Sequence, residues 1–255
     1  MASGSTGIGA PRHPVPSMRS AFEESVTESD EGRRSGTAFS SHGRRRPRHH
    51  WLRKLIAQIA FGLYLLHDGL ARSDAAVVRI LQGHINDMDH FLSTTTSDIE
   101  HATDDISARL QHLRIPLGEG GGVVDCFDRM LESREFRRET MDRNEKVDFV
   151  VQKTTASLQS ALRDVREGLG AVDDLAKYLL DLKEGWRKLN LVRVYAAMTH
   201  NCELWFRCCV GLQMKGARLG EKLNELQMVV NEIERRTAQA SRKYKVGNLR
   251  TNSGG

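Results

Sequence analysis

The chain is 255 residues long, carries 38 Lys and Arg against 33 Asp and Glu, and is 39% hydrophobic with only 6% aromatic residues. Four of its five prolines, Pro11, Pro14, Pro16 and Pro47, fall in the first fifth, and only Pro116 follows. That distribution excludes a β-sandwich, a barrel or a loop-rich secreted fold, which need turn residues throughout, and it leaves room for very long helices.

Residues 1–48 are rich in Ser, Gly, Arg and Pro. So few large apolar side chains cannot offset the entropy of ordering, and the composition predicts a disordered tail. No apolar run of a secretory signal opens it. Ser25, Thr27 and Ser29 stand beside acidic residues and Ser35 follows Arg33 and Arg34, contexts that resemble kinase targets. The net charge of +5 is local. Residues 1–50 hold eight Arg against five acidic residues, whereas residues 51–255 hold 30 basic against 28 acidic. The excess collects in a basic patch of Arg44, Arg45, Arg46, Arg48, Arg53 and Lys54.

From Leu52 an apolar stripe begins, Leu52, Ile56, Ile59, Leu63, Leu66, Leu70, with steps of four and three. This is the period of a helix that packs on other helices. The stripe slips by one residue and resumes from Val78 through Leu81, Met88, Leu92, Ile99 and Ile106 to Leu113. Gly69–Ser73 is the weak point, where a break would leave Ser73 as a helix cap. Pro116 and the glycines at 118 and 120–122 mark the clearest turn. A second stripe runs from Val147 through Val151, Leu158, Val165, Gly168, Val172, Leu175 and Leu182 to Trp186 and Leu189. It keeps phase across Gly168 and Gly170, which favours continuity. The third runs from Leu191 through Met198, Cys202, Trp205, Cys209, Leu212, Leu219, Leu226 and Ile233 to Tyr244. Its offset from the second predicts a tight turn at 188–190 capped by Asn190. Acid-to-base pairs four residues apart line the outer faces, among them Asp105/Arg109, Glu139/Arg143, Asp142/Lys146, Asp173/Lys177, Glu184/Lys188 and Glu203/Arg207.

Three helices of about 51–113, 123–189 and 191–246 follow. They predict an all-α fold, an elongated antiparallel three-helix bundle or coiled coil of spectrin-like shape, where the likeness concerns shape alone. The bundle occupies 49–247, between the tail at 1–48 and a second disordered tail at 248–255.

No catalytic motif emerges. Gly211–Gly216 lacks the Gly-Lys-Ser/Thr ending of a phosphate loop, the glycines at 118–122 follow no strand, and neither HExxH nor GxSxG occurs. Cys126, Cys202, Cys208 and Cys209 form no CxxC pair, and Cys202 and Cys209 fall on the seam as small apolar residues. His101 and His112 make a poor metal pair without a carboxylate between them. The most apolar stretch, 55–66, falls short of the roughly 20 residues of a membrane span.

The sequence therefore points to a non-enzymatic coiled-coil interaction protein, a scaffold, tether or assembly subunit. It predicts no cofactor, metal or small-molecule substrate, and an intracellular setting, cytoplasmic or nuclear. Protein partners would meet its helical surfaces, with self-association as a variant. The alternative is a binder of anionic membrane or nucleic acid through segment 44–66. There the basic patch supplies charge, and Trp51, Leu52, Leu55, Ile56 and Ile59 supply apolar contact.

Overall fold

The computed structural model describes residues 13–34, 47–118 and 121–251, with the side chains of 29–34, 121–123 and 244–251 left out. Among the described residues the fold is all-α. The helices are α1 Arg19–Arg34, α2 Trp51–His67, α3 Asp74–Arg114, α4 Gly121–Met130, α5 Arg134–Asp181 and α6 Leu189–Thr251. Short 3-10 turns at Pro16–Met18 and Ile115–Leu117 precede α1 and follow α3. The chain divides into two compact units, residues 1–94 with 163–211, and residues 95–162 with 212–255.

In the first unit α2 is the innermost helix. Ten of its seventeen residues are buried, including Leu52, Ile56, Ala57, Ile59, Ala60 and Leu63. A helix apolar on several faces must be enclosed, whereas a two-residue seam covers only one side. This is why the expected helix 51–113 is divided. Gly69 adopts φ 68, a left-handed conformation that costs other residues about 1 kcal/mol or more. The Leu70 amide then donates to the Leu65 carbonyl (2.9 Å), closing the helix end. Ser73 caps α3 by accepting from the Ala76 amide, as its position predicted. Leu70, placed on the seam by periodicity, lies exposed beyond the break.

Contacts fix the helix directions. Gly62 of α2 faces Leu81 of α3 and Trp51 faces Phe91, so α2 and α3 are antiparallel. His50 and Arg53 pair with Asp164 and Glu167 of α5, so α2 and α5 run parallel. Lys188 reaches Asp74, and Trp205 of α6 reaches Asp89 of α3, so α3 and α6 run parallel. Among the described residues the first unit is thus built on five helical segments, α1, α2 and lengths of α3, α5 and α6, two more than the sequence pattern implied. Gly168 lies where α5 meets α2. A Cβ there would stand 3.1 Å from Leu52 Cδ1, so the helices touch through the missing side chain. α5 continues through Gly168 and Gly170 without a break.

The reversal from α5 to α6 occupies 182–188, earlier than expected. Trp186 Nε1 donates to the Leu182 carbonyl (2.7 Å), and His67 Nε2 donates to that of Glu184 (2.8 Å). Leu189 opens α6 exposed, so it leaves the seam, and Asn190 lies inside the first turn and caps nothing.

The second unit joins α4 to the remaining lengths of α3, α5 and α6. Lys215 and Lys222 of α6 bond Glu100 and Ser107 of α3, again in parallel register. Gln227 of α6 bonds Asp148 of α5, while Gly216 receives Leu162, an antiparallel register. Phe127, Leu131 and Ile233 form a small core with Leu113, Leu117, Phe136 and Val229. α4 ends at residues 131–133, splitting the expected second helix. Ser133 Oγ accepts from the Phe136 amide, and Arg137 Nη1 donates to the carbonyls of Leu131 and Glu132. Four of the six expected acid–base pairs form, Asp105–Arg109, Glu139–Arg143, Asp173–Lys177 and Glu203–Arg207, whereas Lys188 pairs with Asp74 rather than Glu184, which lies in the reversal before α6. α6 continues to Thr251, past the tail expected from 248.

Candidate functional site

The junction singled out by charge lies where α1 meets the start of α2. Within the tail expected at 1–48, residues 16–34 form a 3-10 turn and a helix, while 1–12 and 35–46 lie outside the described residues. Pro16 stands at the first position of that turn, where its fixed φ suits a helical start. Met18, Ala21 and Ser25 then fall three to four residues apart and are buried. Averaged over 48 residues, the polar composition masks this short amphipathic stretch.

Two contacts seat α1. Phe22 and Phe61 bring their ring centroids to 4.3 Å, with the His13 ring 5.3 Å from Phe22. His13 is itself buried; its Nε2 donates to the Ala57 carbonyl (2.9 Å) and its Nδ1 accepts from the Val15 amide (3.1 Å). This tautomer is assigned from the hydrogen-bond geometry. The second contact is ionic. Lys54 Nζ lies 3.0 Å from Glu24 Oε1 and 2.6 Å from Glu28 Oε1. Glu24 Oε1 also accepts from the Arg48 amide (2.8 Å), while its Oε2 is buried without a partner.

Burial pulls both charged groups toward neutrality, and the pairing outweighs it. The Lys54 ammonium, desolvated but bonded to Glu28 and Glu24, is held above its ordinary 10.5. The Glu24 carboxyl, desolvated but bonded by Lys54 and the Arg48 amide, is held below its ordinary 4.5. A depressed carboxyl stabilises the fold above its unfolded pKa and loses that contribution as pH falls through the folded value. A raised lysine stabilises below its unfolded pKa and loses that contribution as pH rises. The seat is therefore strongest between about pH 5 and 10. Urea midpoints should fall between pH 6 and pH 3, and less steeply in a Glu24→Gln chain than in the wild type. An equal slope would remove Glu24 from the seat.

The energetics are modest. Burying Met18 contributes about 1.5–3 kcal/mol and Ala21 less. The orphaned Glu24 oxygen costs about 1–3 kcal/mol. Ordering sixteen helical residues costs about 1 kcal/mol or more each before hydrogen bonding offsets it. α1 thus belongs to the low-stability end of the molecule.

The remaining predicted site residues are dispersed. Arg44, Arg45 and Arg46 lie outside the described residues, and Arg48 is exposed. Arg53 faces α5, with its Nε 3.0 Å from Glu167 and its Nη1 3.8 Å from Asp174. Leu52, Ile56 and Ile59 are fully buried and Leu55 nearly so, which corrects their reading as a membrane or partner contact. They fill the helix core because α2 is enclosed on several sides. Trp51 alone stays outward, 45% exposed, with its ring edge-on to Phe91. Sequence reasoning missed His13, Phe22, Glu24, Glu28 and Phe61. The spacing of Glu24 and Glu28, one turn apart and opposite in charge to 44–54, was the available signal. Ser25, read as a kinase target, is buried with its hydroxyl donating to the Phe22 carbonyl, while Thr27 is exposed.

Cys202 and Cys209 are buried on the α6 seam, and burial pushes both thiols up to about 12. Such thiols form little thiolate at neutral pH. Exposed Cys126 should react first with a disulfide reagent, and Cys202 and Cys209 only after unfolding. Rapid labelling of either in the native chain would contradict their placement. No group of three or more His, Cys, Asp or Glu that could hold a metal occurs among the described residues. No helix among them is long and apolar enough to cross a membrane.

No protein-family model, no curated protein and no solved structure matches this chain.

Proposed function

We propose that the chain is a non-enzymatic helical interaction protein, a scaffold, tether or assembly subunit, whose long helices hold a docking face for a protein partner. Its frame is an elongated antiparallel bundle in which α3, α5 and α6 run side by side, joined in the first unit by α2. The observation that carries the reading lies in the second unit. Gln227 of α6 bonds Asp148 of α5, and the next residue on each helix, Met228 and Phe149, is 64% and 66% exposed. Antiparallel helices turn the residues after such a contact to the same side of the pair. A phenyl ring and a flexible thioether exposed on neighbouring helices are the kind of surface a partner helix covers.

The test is Phe149→Glu with Met228→Glu. Exposed substitutions of this kind leave stability within about 0.5 kcal/mol each. Proteins crosslinked to the wild-type chain in its native cell should be lost from the double variant. An unchanged set, or none with either chain, overturns the reading.

A further inference from the structure

The α1 seat on α2 carries the most chemistry outside the second-unit face. It presents a lysine ammonium that already grips two carboxylates one helical turn apart, 3.0 and 2.6 Å away. Beside it stand the Phe61 ring and the Ala57 carbonyl, which takes a hydrogen bond from His13. Its occupant is a sixteen-residue helix, a length that is marginal on its own in water. That helix belongs to the same chain as α2, so its docking is intramolecular and is favoured over that of a free helix. An occupant held by tethering and a few anchors can be displaced by an untethered helix that makes the same contacts better. The unpartnered Glu24 Oε2 shows that the present fit leaves one such contact unmade.

We propose that this seat is a docking groove for an acidic amphipathic helix of a partner protein, and that α1 is its built-in competitor. The partner helix carries carboxylates at i and i+4 for Lys54. Across its buried stripe from those carboxylates it carries an aromatic residue two positions before the first of them, as Phe22 stands before Glu24, and a methionine four before that aromatic, as Met18 stands before Phe22. Displacing α1 uncovers Lys54, Phe61 and Ala57, so the groove is closed in the resting chain and opened by mass action. This inference concerns the first unit and stands apart from the Phe149–Met228 face.

A labelled peptide of residues 13–34 serves as the probe, titrated into full-length chains. Phe22→Ala with Glu24→Gln and Glu28→Gln loosens the resident helix and leaves α2 unaltered. The peptide should bind that variant at least tenfold more tightly than it binds the wild type. In the loosened chain Lys54→Glu should abolish binding, and a peptide with Glu24→Lys and Glu28→Lys should restore it. The restoration separates lost charge pairing from a misfolded groove. Equal binding to wild type and variant, no binding to either, or no rescue by the charge swap overturns the proposal. So does a wild-type chain that dimerises with rising concentration by exchanging α1, because the occupant is then a second copy.

Discussion

Truncating Trp205 to alanine is expected to cost about 3–5 kcal/mol of folding stability. The side chain is almost wholly buried on the α6 seam, and its Nε1 donates to Asp89 of α3 (2.7 Å). Alanine removes the ring, leaves a cavity and cuts the bond between two helices. Asp89 is itself exposed, so its carboxylate regains water and adds little to the loss. Trp205→Phe separates the two effects. It keeps most of the ring and loses the hydrogen bond, a cost of about 1 kcal/mol plus a small cavity. Urea unfolding of the three chains reads both differences. A Trp205→Ala cost under about 1 kcal/mol would place the residue off the seam.

The second large effect is expected at Ile56. Ile56→Ala should cost about 2–5 kcal/mol, because the side chain is fully buried in a helix enclosed on several sides. Trp51→Ala, at the exposed start of the same helix, should cost far less, chiefly its edge contact with Phe91. The two readings of segment 44–66 diverge on this comparison. If Ile56 faced a membrane or a partner, alanine would spare stability and weaken binding to anionic vesicles. If it fills the core, alanine lowers the urea midpoint.

The seams were the most legible part of the chain. Leu81, Met88, Leu92, Ile99 and Ile106 on α3, Val165, Val172 and Leu175 on α5, and Met198 through Ile233 on α6 are buried at the positions their spacing predicts. Period is a local property, so one sequence reveals it. The place of the break after α2 was marked by Gly69 and Ser73 but its occurrence was not, because the stripe from Leu52 to Leu66 looks the same whether the helix continues or folds back. The distinguishing mark was apolar residues off the stripe, Leu55, Ala57 and Ala60, which signal a second buried side. The split at 131–133 lacks both proline and glycine. It is made by Ser133 and by Arg137 reaching back to free carbonyls, which no periodicity displays.

The junction site was legible in its charge and not in its partners. The basic run was plain, but an acidic helix before it and carboxylates over 100 residues after it take up two of its cations, Lys54 and Arg53. Lys54 finds Glu24 and Glu28, and Arg53 finds Glu167 and Asp174. A positive cluster read by itself suggests an outside anion. Only the fold brings its internal counter-ions into reach, and α1 was hidden because composition was averaged across a long polar stretch.

The proposed frame is tested most directly by small-angle scattering on a size-fractionated sample of the whole chain. α6 has 63 residues, a rod of about 95 Å at 1.5 Å per residue. A bundle of that length at the mass of one chain should give a radius of gyration of about 28 Å, where a globule of this size gives about 18 Å. One-chain mass with the larger radius is the expected result. A radius near that of a globule, or a two-chain mass with a longer rod, would contradict it.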